Sequence, residues 1–267
     1  MDKIAHAQFE LQEMDALAAG CSPIHRLHPL CKLIVTAAYI ITVVSFSKYD
    51  FAGLSIMILY PVLMFQAAEI PVRTCFYKLR FVLPLVCAVG LANPFLDHVP
   101  LIQLGSLTIT GGMVSMATLA MKGVFSLMAS FLLIATTSID LLCAALGALH
   151  VSPILTTLLL LTYRYIGVML EQVAIMTEAY KLRAPGQKGI HISAWGSFLG
   201  QLLLRSMDRA EELYHSMQLR GFQGRLFYAD VPPCRWSSVV FCVICLGAFF
   251  AARIVSVASL IGDLFVR

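Results

Sequence analysis

Four short patterns in this chain bring together residue types able to do chemistry. His25 and His28 stand three residues apart, a spacing open to a metal pair. Cys242-Val-Ile-Cys245 has the spacing of a redox dithiol. Gly186-Gln-Lys-Gly189 carries the residue types of a phosphate loop. Arg183 and Arg220 each follow a leucine where a polar, helix-favouring run gives out, in Leu182-Arg183-Ala184 and Leu219-Arg220-Gly221. A guanidinium there can grip a carboxylate through two parallel hydrogen bonds.

Three of the four lose force in context. The histidine pair precedes an apolar run beside Arg26 and Lys32, so an interfacial role is expected; His6, His98, His150, His191 and His215 form no cluster. The cysteine pair lies inside an apolar span with no βαβ pattern around it. The glycine-lysine segment lacks the G-x-x-x-x-G-K-[ST] spacing, so ATP hydrolysis is not expected of this chain. No Ser-His-Asp or paired-carboxylate constellation is legible, and no enzyme activity is expected. The arginines remain, and they depend on the helices that carry them.

Those helices belong to a membrane protein. Of 267 residues, 59% are hydrophobic and 13% charged, about half the charged share of soluble domains, with a mean hydropathy of +0.83. The net charge of +4 is small and dispersed; it speaks for topology rather than nucleic acid. The eight cysteines, Cys21, Cys31, Cys75, Cys87, Cys143, Cys234, Cys242 and Cys245, read as small hydrophobes, not a disulfide framework. No cleavable signal sequence is expected, because the first apolar run begins near residue 30 after a stretch holding acids and histidines.

About 20 apolar residues cross a bilayer. The candidates are Leu33–Ser47, Phe51–Ala68, Phe81–Leu96, Met113–Ser138 and Ser237–Ile261, about five spans in an all-α polytopic protein, give or take one because Pro153–Leu170 is also apolar enough to register as a span. Lys122 interrupts the fourth and must snorkel or face protein. Arg26 and Lys32 before the first span, and Arg73, Lys78 and Arg80 after the second, place the amino terminus and the 69–80 loop in the cytoplasm; the 97–112 loop has no Lys or Arg. The chain divides into transmembrane helices over 1–138, a cytoplasmic region over 139–236 with nine of the 19 basic residues, and a last span over 237–267.

Within 139–236, a helix runs from Pro153, with Ser152 as its cap, to about Arg183, where Pro185 and Gly186 stop it. Arg164, Glu171 and Glu178 share one face. A second helix runs from about Ser193 to Leu219, closed by Gly221. Its Leu203, Met207, Ala210, Tyr214 and Met217 form one apolar seam, expected to pack between the two helices.

These blocks resemble the transmembrane T component of energy-coupling factor (ECF) transporters, specifically the CbiQ type used for cobalt. The likeness covers nearly the whole chain. It begins at Ser22-Pro-Ile-His-Arg-Leu-His-Pro-Leu-Cys-Lys-Leu33, continues through Leu161-Thr-Tyr-Arg-Tyr-Ile166, and is strongest from Arg205 through Leu219-Arg220-Gly221 to Gly224. The resemblance implies a non-catalytic subunit of a multi-pass bacterial or archaeal cell membrane importer. In that family two long coupling helices end in Ala-Arg-Gly-like motifs that insert into a pair of ABC-type ATPases. The ATPases bind the ATP, and the same helices cradle a substrate-binding membrane S component; a small accessory membrane subunit also belongs to some such assemblies. Carried over by position, the coupling motifs are Leu182-Arg183-Ala184 and Leu219-Arg220-Gly221, with Leu for the leading Ala in both and Ala184 for Gly in the first. If that position needs a positive φ, Ala184 is strained there. The metal-dedicated branch is the better match: cobalt, then nickel, with a vitamin-type system or a standalone transporter as alternatives. A standalone transporter would show internal repeats and interrupted spans; no repeat is legible.

Overall fold

The computed structural model describes residues 3–47, 51–80, 84, 88, 90, 100–104, 107–187, 189–224, 226 and 232–254. The chain forms two compact units. One joins Ala18–Ser138 to Pro232–Arg267, and the other joins Met1–Leu17 to Ile139–Val231.

The first unit holds α2 (Pro29–Ser45), α3 (Phe51–Ile56), α4 (Leu59–Ala68), α5 (Val72–Leu79), α6 (Gly111–Thr136) and α10 (Trp236–Ile254). A short antiparallel pair, Pro100–Leu104 with Leu107–Thr110, lies in the loop before α6. The second holds α1 (Lys3–Ala18), α7 (Ile139–Ala148), α8 (Pro153–Arg183) and α9 (Ile192–Leu219). The protein is thus a helical, multi-pass membrane protein.

Helix α2 organises the first unit. Pro29 sits in its first turn, where a missing N–H costs nothing. The ring of His28 accepts from the Leu30 N–H at 3.3 Å, and the His28 N–H donates to Ser238 Oγ at 3.1 Å. Cys31, Val35, Tyr39 and Val43 recur every four residues, all buried in one stripe. Around that stripe pack Leu54, Met57, Phe125, Ala129 and Phe249. The rings of Tyr39, Tyr60 and Phe249 meet with centroids 4.6 to 5.3 Å apart.

The second expected span is broken, and the break has a definite cause. Pro61 has no N–H to give the carbonyl four residues back, that of Met57. The Tyr39 hydroxyl fills the vacancy, donating to that carbonyl at 2.8 Å. The chain therefore splits into α3 and α4 without leaving a bare acceptor in an apolar core.

Lys32 and Lys122 both bond inside the protein, and for Lys122 this is the protein-facing alternative given above. Lys32, counted above among the residues flanking the first span, lies within α2 and is only 4% exposed. Its Nζ donates to the carbonyls of Thr136 at 2.8 Å and His25 at 3.2 Å. Thr136 is the last residue of α6, so Lys32 closes that helix end. Lys122, inside α6, donates to the carbonyls of Val44 and Phe46 at the end of α2. Arg253 joins them, donating to the Ser45 carbonyl at 3.2 Å and lying over the Phe46 ring at 5.2 Å.

Among the described residues, three helices are long and apolar enough to cross a membrane: Val114–Thr136, Pro153–Arg183 and Trp236–Arg253. The second was assigned above to the cytoplasmic region; its apolar first half, with Ile154, Leu155 and Leu158 exposed, gives it spanning length and composition. The expected span Phe81–Leu96 lies outside the described residues except at 84, 88 and 90.

Removing one of the internal donors should be costly, because a buried acceptor left bare costs about 1–3 kcal/mol. Tyr39→Phe deletes one oxygen from a filled core, and Lys122→Met removes the cation at the end of α2 while keeping much of the stem's bulk. Each is expected to lower the unfolding midpoint in detergent measurably, with the larger loss for Lys122→Met. Unchanged melting in either would mean that its carbonyls find another donor.

Candidate functional site

In the second unit α7 and α8 form a tight hairpin, and a short connection leads from α8 into α9. Ser152, which leads into α8, makes no side-chain cap; its backbone carbonyl alone accepts, from the Thr156 N–H at 3.2 Å. The hydroxyl of Tyr163 donates to Asp15 at 2.6 Å, fastening α1 to α8.

The connection between α8 and α9 is tied by one tyrosine. The Tyr180 hydroxyl donates to Gln187 Oε1 at 3.0 Å and accepts from the His191 N–H at 3.3 Å. His191 then caps α9 through its ring nitrogen. Gly186 and Gly189, at φ 93° and 85°, make the turn possible. Arg183 therefore stands near the start of α9, whereas Arg220 stands at its far end. A helix of 28 residues separates them, on the order of 40 Å at 1.5 Å per residue. Both tripeptides occupy helix ends, but at opposite ends of the pair.

The two ends are built differently. At α9, the Gly221 N–H donates to the Gln218 carbonyl at 2.9 Å and the Phe222 N–H to the Met217 carbonyl at 3.0 Å, with Gly221 at φ 77°. This is the Schellman arrangement, and it folds Phe222 back toward Met217. At α8, the Ala184 N–H donates to the Tyr180 carbonyl at 3.0 Å and Ala184 takes φ −127°. The strain considered for Ala184 is absent, because the positive φ falls on Gly186 two residues later.

What the ends share is their surface. Arg183 and Arg220 are exposed, and Leu182 and Leu219 are 80% and 90% exposed. Each end is an apolar knob beside a cation with five donors.

Between α8 and α9 runs an almost wholly apolar groove of about 550 Å³. Leu158, Leu161, Tyr165 and Met169 line one wall, and Ala210, Leu213, Met217 and Phe222 the other. The helices run antiparallel along it, with Arg205 donating to Gln172 Oε1 at 3.1 Å. The seam expected on α9 is only partly used here. Ala210, Tyr214 and Met217 line the groove, but Leu203 and Met207 are each 61% exposed. With Leu199 and Leu204 they form an apolar face that is exposed among the described residues. The missed wall on α8 looked like any apolar run, and only the register of the two helices reveals it.

His25 and His28 act locally: the His25 ring lies 2.7 Å from Ser22 Oγ, and His28 caps α2. Among the described residues no group of three His, Cys, Asp or Glu side chains is arranged to hold a metal ion.

Comparison with known proteins places these features in a family context. A family model described as CbiQ, cobalt transport protein, matches residues 20–229, which include both helix ends and the groove. A nickel permease, LarQ, of Lactiplantibacillus plantarum (strain ATCC BAA-793 / NCIMB 8826 / WCFS1) is 33% identical over 89 residues. That stretch covers 33% of this chain and 33% of the permease, so the match spans about a third of the relative's length.

The differing caps lead to opposite expectations for one exchange. A Cβ at Gly221 meets no heavy atom within 4 Å, so Gly221→Ala costs only its left-handed backbone, about 1–2 kcal/mol. Ala184→Gly relieves nothing and should be near neutral. Hydrogen exchange at Gly221 and Phe222 should accelerate in the first variant. Equal exchange in both variants and the parent would show that the Schellman end does not depend on glycine.

Proposed function

The chain belongs to the CbiQ cobalt transport protein family, and from that premise we propose that it is the transmembrane coupling subunit of an ECF-type importer. In this reading it transmits the motion of ATPase subunits to a separate substrate-binding membrane subunit. The observation that carries the proposal is the pair of exposed Leu-Arg helix ends, 182–183 and 219–220. Such an end has the makings of a plug: a leucine to bury in a pocket and a guanidinium to pair with a carboxylate at its rim. The separation of the two ends, on the order of 40 Å, suits two ATPase copies, one at each end. The ATP would be bound by those partners.

The uncovered face of α9, with Leu203 and Met207, and the groove beside it suit a second apolar partner, the S component. An apolar helix face laid against a partner's apolar surface is a common recognition mode. Motion imposed at the helix ends would then be felt along the whole length of α8 and α9, because a helix transmits force as a stiff rod.

Cobalt is the proposed cargo, on the family description. Nickel is the second reading, because the similar curated protein is named a nickel permease. The two divalent ions are neighbours in ligand preference, so the distinction belongs to the subunit that binds them.

The test is recovery of the complex together with transport. A charge-assisted hydrogen bond is worth about 1.5–3 kcal/mol, or roughly one to two powers of ten in affinity. Arg183→Ala or Arg220→Ala alone should weaken ATPase recovery from detergent. The double variant should lose it, with uptake of labelled cobalt and nickel abolished, while the chain stays in the membrane. Normal recovery and normal uptake in the double variant would refute the plug role. Leu203→Glu should leave ATPase recovery intact and lose the S component; loss of neither would remove that face from the interface.

A further inference from the structure

The second unit holds another hollow beside the groove between α8 and α9. It measures about 310 Å³ and lies at the start of α8, against Gly147, His150, Pro153, Thr156 and Thr157. Thr157 stands in the wall of both cavities, so they meet at that residue. It is 6% exposed, and its hydroxyl has no hydrogen-bond partner. The hydroxyl of Thr156, by contrast, donates to the Pro153 carbonyl at 3.0 Å. A buried hydroxyl left bare is costly, and this residue borders space that a ligand can enter.

The groups around the hollow are donors. The side chain of Ser152 does not cap α8, and the N–H groups of Ile154 and Leu155 have no acceptor among the described residues. The positive end of a 31-residue helix therefore stands open beside the hollow. His150 adds an imidazole N–H, present in either tautomer. The His150 N–H donates to the Gly147 carbonyl at 3.1 Å and the Val151 N–H to the Leu146 carbonyl at 3.2 Å, with His150 at φ 63°. This helix stop, usually made by glycine, fixes His150 in the wall. None of the described residues lining the hollow is Asp or Glu. Donors without a carboxylate among them fit a ligand group that only accepts, such as a phosphodiester.

The groove suits the other half of such a ligand. Its α8 wall runs from Thr157 to Met169, on the order of 18 Å at 1.5 Å per residue. One leaflet's share of a hydrocarbon core about 30 Å thick is about 15 Å, so the groove has the length of one acyl chain. Arg209 is the one Lys, Arg, Asp or Glu among the described lining residues of the two cavities. It makes no hydrogen bond or ion pair among the described residues, and its charge favours an anionic ligand. We propose that the hollow and the groove together bind one anionic phospholipid. Its phosphate lies at His150, Thr157 and the start of α8, and one acyl chain lies along the groove. The site belongs to the chain without partners and does not rest on the coupling role; an S component that uses the same groove must displace the lipid.

The test is a lipid titration of the full-length chain, delipidated in detergent and followed by native mass spectrometry and thermal melting. With dioleoylphosphatidylglycerol, one lipid should be retained per chain and the unfolding midpoint should rise. Dioleoylglycerol, which lacks the phosphate, and inorganic phosphate, which lacks the chains, should each bind at least about tenfold more weakly, the loss of one charge-assisted hydrogen bond or more. Dioleoylphosphatidylcholine, with no net charge, should be retained less than the glycerol lipid. His150→Gly suits the left-handed turn and should weaken retention about tenfold on the same grounds. Thr157→Val removes the bare hydroxyl at nearly constant volume, so the lipid-free chain should melt no lower while retention falls. Ala210→Trp, at an exposed groove position, should block the acyl chain. Equal retention in His150→Gly, Thr157→Val and the parent, or equal binding of dioleoylglycerol or of inorganic phosphate, would overturn the proposal.

Discussion

A helix that ends inside a membrane protein leaves its last carbonyls without donors, and the first unit is arranged around that constraint. Helices α2 and α6 answer it reciprocally. Lys32 near the start of α2 reaches the end of α6, and Lys122 within α6 reaches the end of α2. The separation along the chain from Lys32 to Phe46 equals that from Lys122 to Thr136, which only antiparallel helices in one fixed register can match. Each cation also meets the negative end of a helix dipole. The carbonyls lie at helix ends, so a slip by a turn would strand two ammonium groups and several acceptors at once. The register of α2 against α6 then fixes where the Val35–Tyr39–Val43 stripe can pack, and with it the positions of α3 and α10.

The same need explains the broken second span. Pro61 alone would leave a carbonyl bare, and Tyr39 removes the penalty from the side. Such a break is tolerable only where another helix already presents a donor, so it is a consequence of α2's placement rather than a separate feature.

How much of this could be read beforehand depended on the range of the interaction. The stop at Gly221, the start at Pro153 and the ends at Leu182 and Leu219 follow from residues within a turn of one another, and these were legible. Proline and glycine act locally, and a leucine next to an arginine at a helix end is visible as text. The roles of Lys32 and Lys122 were not, because a lysine beside an apolar run looks the same whether it meets lipid headgroups or the carbonyls of a helix remote in sequence. The seam on α9 was misplaced for a related reason. Periodicity identifies an apolar face but not the rotation at which a neighbour meets it, so Ala210 and Met217 line the groove while Met207 faces outward. Helix α8 carries both signals at once, with the composition of a span in its first half and charges in its second.

Both units leave large apolar side chains exposed, as a chain in a bilayer can, but among the described residues only the first encloses a stripe of wholly buried residues. In the first, Val35, Tyr39, Val43 and Leu54 are wholly buried and the Tyr39 hydroxyl is bonded within the unit. In the second, Leu182, Leu203, Met207 and Leu219 are more than half exposed. Single exposed leucines need no explanation, but leucines at both helix ends and along the face between them form one extended pattern. Burying such a side chain is worth about 1.5–3 kcal/mol, a gain that this chain leaves unclaimed at each of these positions. In the second unit these open apolar residues stand beside arginines at both helix ends. The paired lysines thus fix the register of α2 against α6 in the first unit, and in the second the helices α8 and α9 carry the exposed leucines.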